Sequence, residues 1–239
     1  MKKYAFLIVV LLVCFAGTVV ADEIDGLIRQ LGKGNPAERL TAAQELAKSK
    51  DPRAVTPLIK ALKIDKNWDV RLAAESALVA LGSPSVPPLI QLLKEEHNCL
   101  IRRRAARAIK EMKEIEDPSA SEALVNAASK DSDCCVRRFA AMALAEIGDP
   151  KVAEFLNNAM EKRDLEIISG AYPYYIRQGK PGTEEVLVQA LRKFCYSKKM
   201  VFDLSCCDNE KLKQAAVGIA KDHKYTIPPD WSGPRWGKS

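Results

Sequence analysis

Cysteine, arginine and histidine are the residues of this 239-residue chain whose types and spacing could do chemistry. Six of the seven cysteines lie past the N-terminal segment: Cys99, Cys134, Cys135, Cys195, Cys206 and Cys207, four of them in adjacent pairs. Vicinal thiols suit disulfide exchange or soft-metal binding, both of which use the thiolate. Asn98 and Asp133 stand where helix N-caps would, so Cys99 and Cys134 fall in first turns, where unpaired amides favour a thiolate. A Cys99–Cys134 bridge would have to tighten a helix spacing of about 8–10 Å, because a disulfide spans at most about 7 Å between Cα atoms. Cys195 with Cys206 or Cys207 would instead close a short loop near the C-terminus.

Histidine is scarce. His97 is followed by Asn98 and His223 by Lys224, so no His-Glu pair exists and a general acid–base or Ser-His-Asp arrangement has little to draw on. The chain has no phosphate-binding glycine loop, no zinc-type Cys-x-x-Cys and no haem-type Cys-x-x-Cys-His. No catalytic, metal-binding or cofactor-binding set is expected, and the chain reads as a non-enzyme.

Arginine recurs with a period. Arg39, Arg71, Arg102 and Arg137 are 32, 31 and 35 residues apart, each inside a similar segment: ERLTAAQEL, VRLAAESAL, IRRRAARAI and VRRFAAMAL. One arginine per unit at one helical position makes either a structural ladder, with Asp51, Asp69 and Asp133 as candidate partners, or a ligand-binding row. Arg103, Arg104, Arg107 and Lys110 fall opposite Ile101, Ala105, Ala108, Ile109 and Met112 on a helix, which predicts an exposed basic face. That face is either simply solvated or meets an acidic protein or an anionic polymer. Tyr172, Tyr174 and Tyr175, with Trp231 and Trp236, either pack the last units or anchor a partner.

The elements that must position these residues are helical. Each arginine segment is followed by a Pro-bearing turn (KSKDP, LGSPS, EIEDP, EIGDP) and a second apolar helix (AVTPLIKALK, VPPLIQLLK, SEALVNAAS, KVAEFLNNAM). Gly82 and Gly148 suit the positive-φ residue that ends a helix, and Pro suits the first turn of the next. Apolar spacings of three and four give each helix a buried stripe, and no two-residue alternation predicts a strand. One hairpin cannot cover its own apolar face, so stacking is required. The expected fold is an all-α, right-handed α-solenoid of about five helix hairpins with capping helices. Residues 22–33 start it, and a degenerate fifth unit over 164–194 is interrupted at Pro173. Domain boundaries are expected at 1–21, 22–194, 195–226 and 227–239, the last a Trp/Pro-rich flap. Outward positions of the second helices form a candidate binding row of Lys60, Lys63, Gln91, Lys94, Asn126 and Asn157.

Residues 1–21 have the parts of a secretory signal: Lys2 and Lys3, an apolar stretch from Ala5 to Ala16, and Val19-Val20-Ala21 before Asp22. Cleavage would remove two lysines from a formal charge of +6 and leave a chain with no membrane-spanning segment, periplasmic or secreted. In an oxidising compartment the cysteines could pair. Both charge signs are interspersed, which argues against a nucleic-acid partner.

The units, read roughly as Asp-x-x-Val-Arg-x-x-Ala-Ala-x-Ala-Leu-x-x-Ile-Gly-Asp-Pro, resemble HEAT repeats of the bilin-lyase-like kind. The match is strongest over residues 67–94 and 133–160. The resemblance implies the helix-hairpin fold and, through bilin lyases, a chromophore-attachment role. Deoxyhypusine hydroxylase, another HEAT-repeat enzyme, holds a di-iron centre through His-Glu pairs that are missing here. With an export signal and no supporting constellation, the expected function is a non-catalytic protein-binding or scaffold module of the cell envelope. A thiol or metal handler resting on the vicinal cysteines, or a bilin-lyase-like role, is the alternative. The partner is expected to be another protein.

Overall fold

The structure, a computed structural model, describes residues 23–112, 115, 117–147 and 149–238. The signal-like segment and Gly148 lie outside them, as does part of the insertion that stretches the third arginine spacing. The described residues form fourteen α-helices and two short 3-10 turns, with no strand. They fall into two compact units, divided between Gln91 and Leu92.

The first unit contains α1 (23–33), α2 (Pro36–Ser49), α3 (Val55–Ile64), α4 (Trp68–Leu81) and the start of α5 (Val86–Glu95). Asn35 starts α2 with a reciprocal box: the Glu38 N–H donates to Asn35 Oδ1 at 3.0 Å, and the Asn35 N–H donates to Glu38 Oε2 at 2.8 Å. Asn67 caps α4 by accepting from the Asp69 and Val70 amides. Asp51 begins the Pro52–Ala54 turn that leads into α3. Helices α2 and α3 both pack on α4, burying Ala42, Leu46, Leu58, Leu62, Ala74 and Leu78. Gly82 ends α4 with φ +73°, a conformation in which a Cβ would be strained.

The second unit contains the end of α5, then α6 (Cys99–Glu111), α7 (Pro118–Lys130), α8 (Cys134–Leu144), α9 (Pro150–Glu161), α10 (Leu165–Gly170), α11 (Tyr172–Gln178), α12 (Glu184–Lys193), α13 (Lys198–Cys206) and α14 (Glu210–Asp222). First helices begin at Asn98, Asp133 and Asp164, and second helices at Asp117 and Asp149, each side chain accepting from an amide of the new first turn. Helices α6 and α7 pack on α8, and α8 packs on α10. The alanines Ala105, Ala106, Ala140, Ala141 and Ala143 are buried in this stack, their small side chains letting the helices approach closely. The fifth unit breaks at Ala171, and Pro173 lies in the first turn of α11, where its missing N–H costs nothing.

Residues 227–238, the Trp/Pro-rich flap, lie tied to the second unit. The Trp231 indole donates to Asp203 at 2.8 Å, Arg235 and Lys238 bind Asp208, and the Gly237 amide donates to the Ile176 carbonyl at 2.9 Å. A Cβ on Gly179 would stand 2.4 Å from the Gly237 backbone, so this crossing requires glycine.

Candidate functional site

The periodic arginines clamp repeat junctions. Arg39 forks onto Asp65 at 2.7 and 2.8 Å and donates to the Gly34 carbonyl. Arg71 reaches the carbonyls of Asp65 and Lys66. Arg102 forks onto Asp131 at 2.8 Å twice and reaches the carbonyls of Glu96 and His97, while Arg137 binds the Asp131 carbonyl and Glu166. Each guanidinium thus holds the loop that enters its own helix, and Arg39, Arg102 and Arg137 also hold an acid at the entry to the next unit. These acids are Asp65, Asp131 and Glu166 rather than Asp51, Asp69 and Asp133. Asp51 pairs with Arg53 and Asp133 with Arg103. Glu166 serves where the repeat has Lys162 at the acid's position.

The predicted basic face of α6 is not a free surface. Arg103, Arg104, Arg107 and Lys110 are all half-buried, because neighbouring elements cover more of α6 than one apolar stripe suggests. Arg103 donates to Asp133 at 2.7 Å and Lys110 binds Glu111. The tyrosines also point inward. Tyr172 and Tyr175 are buried and Tyr174 is half-buried, so the aromatic concentration packs the degenerate unit instead of offering an anchor. Tyr172 donates to Asp203 at 2.5 Å and Tyr175 to the Leu156 carbonyl at 2.8 Å. Burial, and then the Asp203 charge, push the Tyr172 phenol far above its usual range. Burial also raises that of Tyr175. A phenol with a raised folded pKa contributes stability below the unfolded value of about 10 and loses it as pH rises further. Absorbance titration at about 295 nm should therefore show fewer than the six tyrosines ionising before alkaline unfolding.

The six cysteines are all thiols. Cys134 is exposed, Cys99, Cys135, Cys195 and Cys206 are half-buried, and Cys207 is buried with its Sγ donating to the Leu204 carbonyl at 3.0 Å. Burial pushes the Cys135 thiol up more than the Arg103 charge pulls it down. Burial raises Cys207 as well. Among the described residues no three Cys, His, Asp or Glu side chains come together in a way that could hold a metal ion.

The concave feature of the first unit is a cleft of about 630 Å³ between α1 and α3. Ile28 and Leu31 of α1 line the cleft opposite Pro57, Ala61 and Ile64 of α3, an i, i+4, i+7 stripe that meets the core at Ala61. Ile64 is 65% exposed and adds its apolar surface to the open lining of the cleft. Lys33, Lys60 and Lys66 stand around this apolar floor, all exposed and without a carboxylate partner among the described residues. The lining has one carboxylate, Asp65, and Arg39 takes both of its oxygens. The Arg39 fork holds Asp65 below the usual carboxylate range, so it stays charged and occupied. Volumes of roughly 300–1,000 Å³ suit small-molecule sites, and this one would favour a largely apolar, anionic ligand.

Of the predicted second-helix row, all six side chains are exposed. Lys60 lies in the cleft, and Asn157 borders a minor hollow of about 50 Å³. Lys33, Lys66 and Ile64 escaped the sequence reading. The signal of the last two was the run ALKIDKN, which places Ile64 at the end of a helix between two lysines, Lys63 and Lys66.

Fold and junction chemistry together define an all-α protein of stacked helix hairpins, a HEAT-like solenoid held by an arginine at each unit. The sequence profile of HEAT repeats matches residues 24–110 and 86–172, and the chain belongs to the HEAT-repeat family. A phycocyanobilin lyase subunit beta of Nostoc sp. (strain PCC 7120) is 33% identical over 133 residues, 56% of this chain and 64% of the relative. That of Pseudanabaena tenuis is 33% identical over 126 residues, 52% of this chain and 43% of the relative. The chain thus spans less than two thirds of the length of these curated relatives. A solved complex of CpcE and CpcF of phycocyanin lyase from Nostoc sp. PCC7120 is 21% identical, with a TM-score of 0.49, over 86% of this chain and 90% of that chain.

Proposed function

We propose that this protein is a bilin-lyase-like subunit whose first unit holds an open-chain tetrapyrrole in the α1/α3 cleft while a second protein completes the activity. The observation that carries the reading is the cleft itself, with an apolar floor and three unpaired lysines in a chain related to phycocyanobilin lyase subunits. A bilin is a flexible apolar chain of rings bearing two carboxylates, so its rings suit Ile28, Leu31, Pro57 and Ile64, and its carboxylates suit the ammonium rim. These relatives move the weight from an envelope scaffold to the bilin-lyase-like alternative. The chain's own part is binding and orientation, since none of its described side chains forms an acid–base or nucleophilic pair with a histidine. The role needs only residues 23–91 and does not depend on the fate of residues 1–21.

The test is a spectroscopic titration of the purified chain with phycocyanobilin. Saturable binding is expected, weakened about tenfold or more by the triple change Lys33→Glu, Lys60→Glu and Lys66→Glu, and similarly by Ile64→Asp. The exposed Lys151→Glu in the second unit should leave it unchanged. Absence of binding, or indifference to the triple change, would sink the proposal.

A further inference from the structure

The turn between α12 and α13 displays a second and different surface. Its sequence, RKFCYSKK (192–199), carries four cations and two aromatics in eight residues. The turn is tight: the Ser197 amide donates to the Phe194 carbonyl at 3.0 Å and the Lys198 amide to that of Tyr196 at 3.1 Å. Tyr196 is 58% exposed yet held from two sides. The Arg138 guanidinium lies over its ring at 5.3 Å and donates to its hydroxyl at 2.6 Å, while Phe194 meets it edge-on at 6.1 Å. Lys193 lies over Phe194 at 5.5 Å, and Lys198 over Tyr225 at 5.2 Å. Lys193 and Lys198 are exposed and have no carboxylate partner among the described residues. Asp203, the carboxylate that Lys199 binds, is fully buried and offers the surface no counter-charge.

We propose that this turn docks an acidic segment of a partner protein. Charge complementarity sets the sign of the partner, since free ammonium groups surround aromatic rings with no exposed acid bound among them. The held rings point to a protein rather than a polyanion. Tyrosine and arginine are the residues that concentrate binding energy in protein interfaces, and locking Tyr196 beforehand lowers the entropy lost on association. Arg138 engages one face of the Tyr196 ring and its hydroxyl, so a nucleic-acid base would have to compete for that face. The surface lies wholly in the second unit and is independent of the cleft.

The test is fluorescence anisotropy of the full chain with a labelled peptide of Glu-Glu-Tyr triplets, about twelve residues long, at about 50 mM and about 300 mM salt. Saturable, salt-weakened binding is expected. Tyr196→Ala and the pair Lys193→Glu with Lys198→Glu should each weaken it about tenfold, whereas Lys151→Glu should not. These side chains are exposed, so the variants should keep the wild-type circular dichroism and melting temperature. The inference fails if the peptide does not bind or if Tyr196→Ala binds it as well as the parent does. Tighter binding to oligothymidylate, or to phosphatidylcholine vesicles with about one fifth phosphatidylglycerol, would overturn it in favour of a polyanion or a membrane surface. Phycocyanobilin takes no part in the readout, so either outcome leaves the cleft's role to its own test.

Discussion

Replacing Asp203 with alanine should destabilise the second unit by about 2–4 kcal/mol, from two neutral donors left without their acceptor. Asp203 has no exposed surface, and its two oxygens accept from three donors on three segments: Tyr172 at 2.5 Å, Lys199 at 2.5 Å and Trp231 at 2.8 Å. Without it the Tyr172 hydroxyl is left buried with no acceptor, worth roughly 1–3 kcal/mol by itself. The Lys199 ammonium can return to water, because its side chain is more than half exposed, and so adds little. Trp231 also loses its anchor. The tail then keeps only the exposed Asp208 pairs, the Gly237 amide bond and the packing of Trp231 on Phe202. Chemical denaturation should show the lower midpoint, and limited trypsin digestion should cut faster at Arg235 and Lys238. Asp203→Asn should fall between parent and alanine variant, since an amide oxygen can still accept from one donor but the charge is gone. An alanine variant with the parent's midpoint and digestion rate would show that the tail is held by other contacts.

The helix-hairpin architecture was legible because each of its signals is local. Arginine at one position, alanines three and six later, and an Asx residue immediately before the helix, four before the arginine, are covalently near one another, so their spacing survives in the chain itself. The break at Pro173 belongs to the same class, as proline's geometry does not depend on distant neighbours. The acids that meet the arginines were less accessible. The sequence offers several aspartates near each helix start, and choosing Asp65 and Asp131 over Asp69 and Asp133 requires knowing which way each loop turns. The capping role explains the difference. Asp133 spends its side chain on the Val136 amide and on Arg103, while Asp131, two residues earlier, is turned toward Arg102.

Burial of polar and aromatic residues was the least legible. A helical projection of α6 assigns one apolar and one solvated face, yet α6 packs on α8, and Arg103, Arg104, Arg107 and Lys110 are only partly exposed. The tyrosines of α11 have polar tips that fit either a surface or a core, and the deciding fact, an acceptor for each buried hydroxyl, comes from Asp203 and Leu156 elsewhere in the chain. The cleft is hidden for the converse reason. Ile64 reads as one more core aliphatic, and only the packing of α3 shows that its face is left open opposite Ile28 and Leu31.

Breaking the Arg102–Asp131 fork should have an effect of similar size and a distinctive pH signature. The two side chains are 11% and 6% exposed, and they join through two parallel bonds of 2.8 Å. Asp131→Ala would leave the guanidinium half-desolvated with only carbonyls and the Ser132 hydroxyl as partners, a loss of about 3–5 kcal/mol. Arg102→Ala should cost as much or more, because it strips Asp131 of its counter-charge and frees the carbonyls of Glu96 and His97 as well. Replacing both together should cost less than the sum of the singles, the mark of a coupled pair in a double-mutant cycle. On Asp131, burial acts to raise the carboxyl, but the Arg102 fork and the Asp133 amide outweigh it and hold the group below its usual range. A carboxylate lowered in the folded state contributes stability above the unfolded pKa of about 4, and that stability drains away as pH falls toward the folded value. The parent should therefore lose stability steeply below about pH 4, whereas Asp131→Asn should begin lower at neutral pH and fall less over the same interval. Urea midpoints at neutral and acid pH would measure both slopes, and parallel slopes would mean that the junction's acid sensitivity comes from another carboxylate, with Asp65 on Arg39 the next to replace.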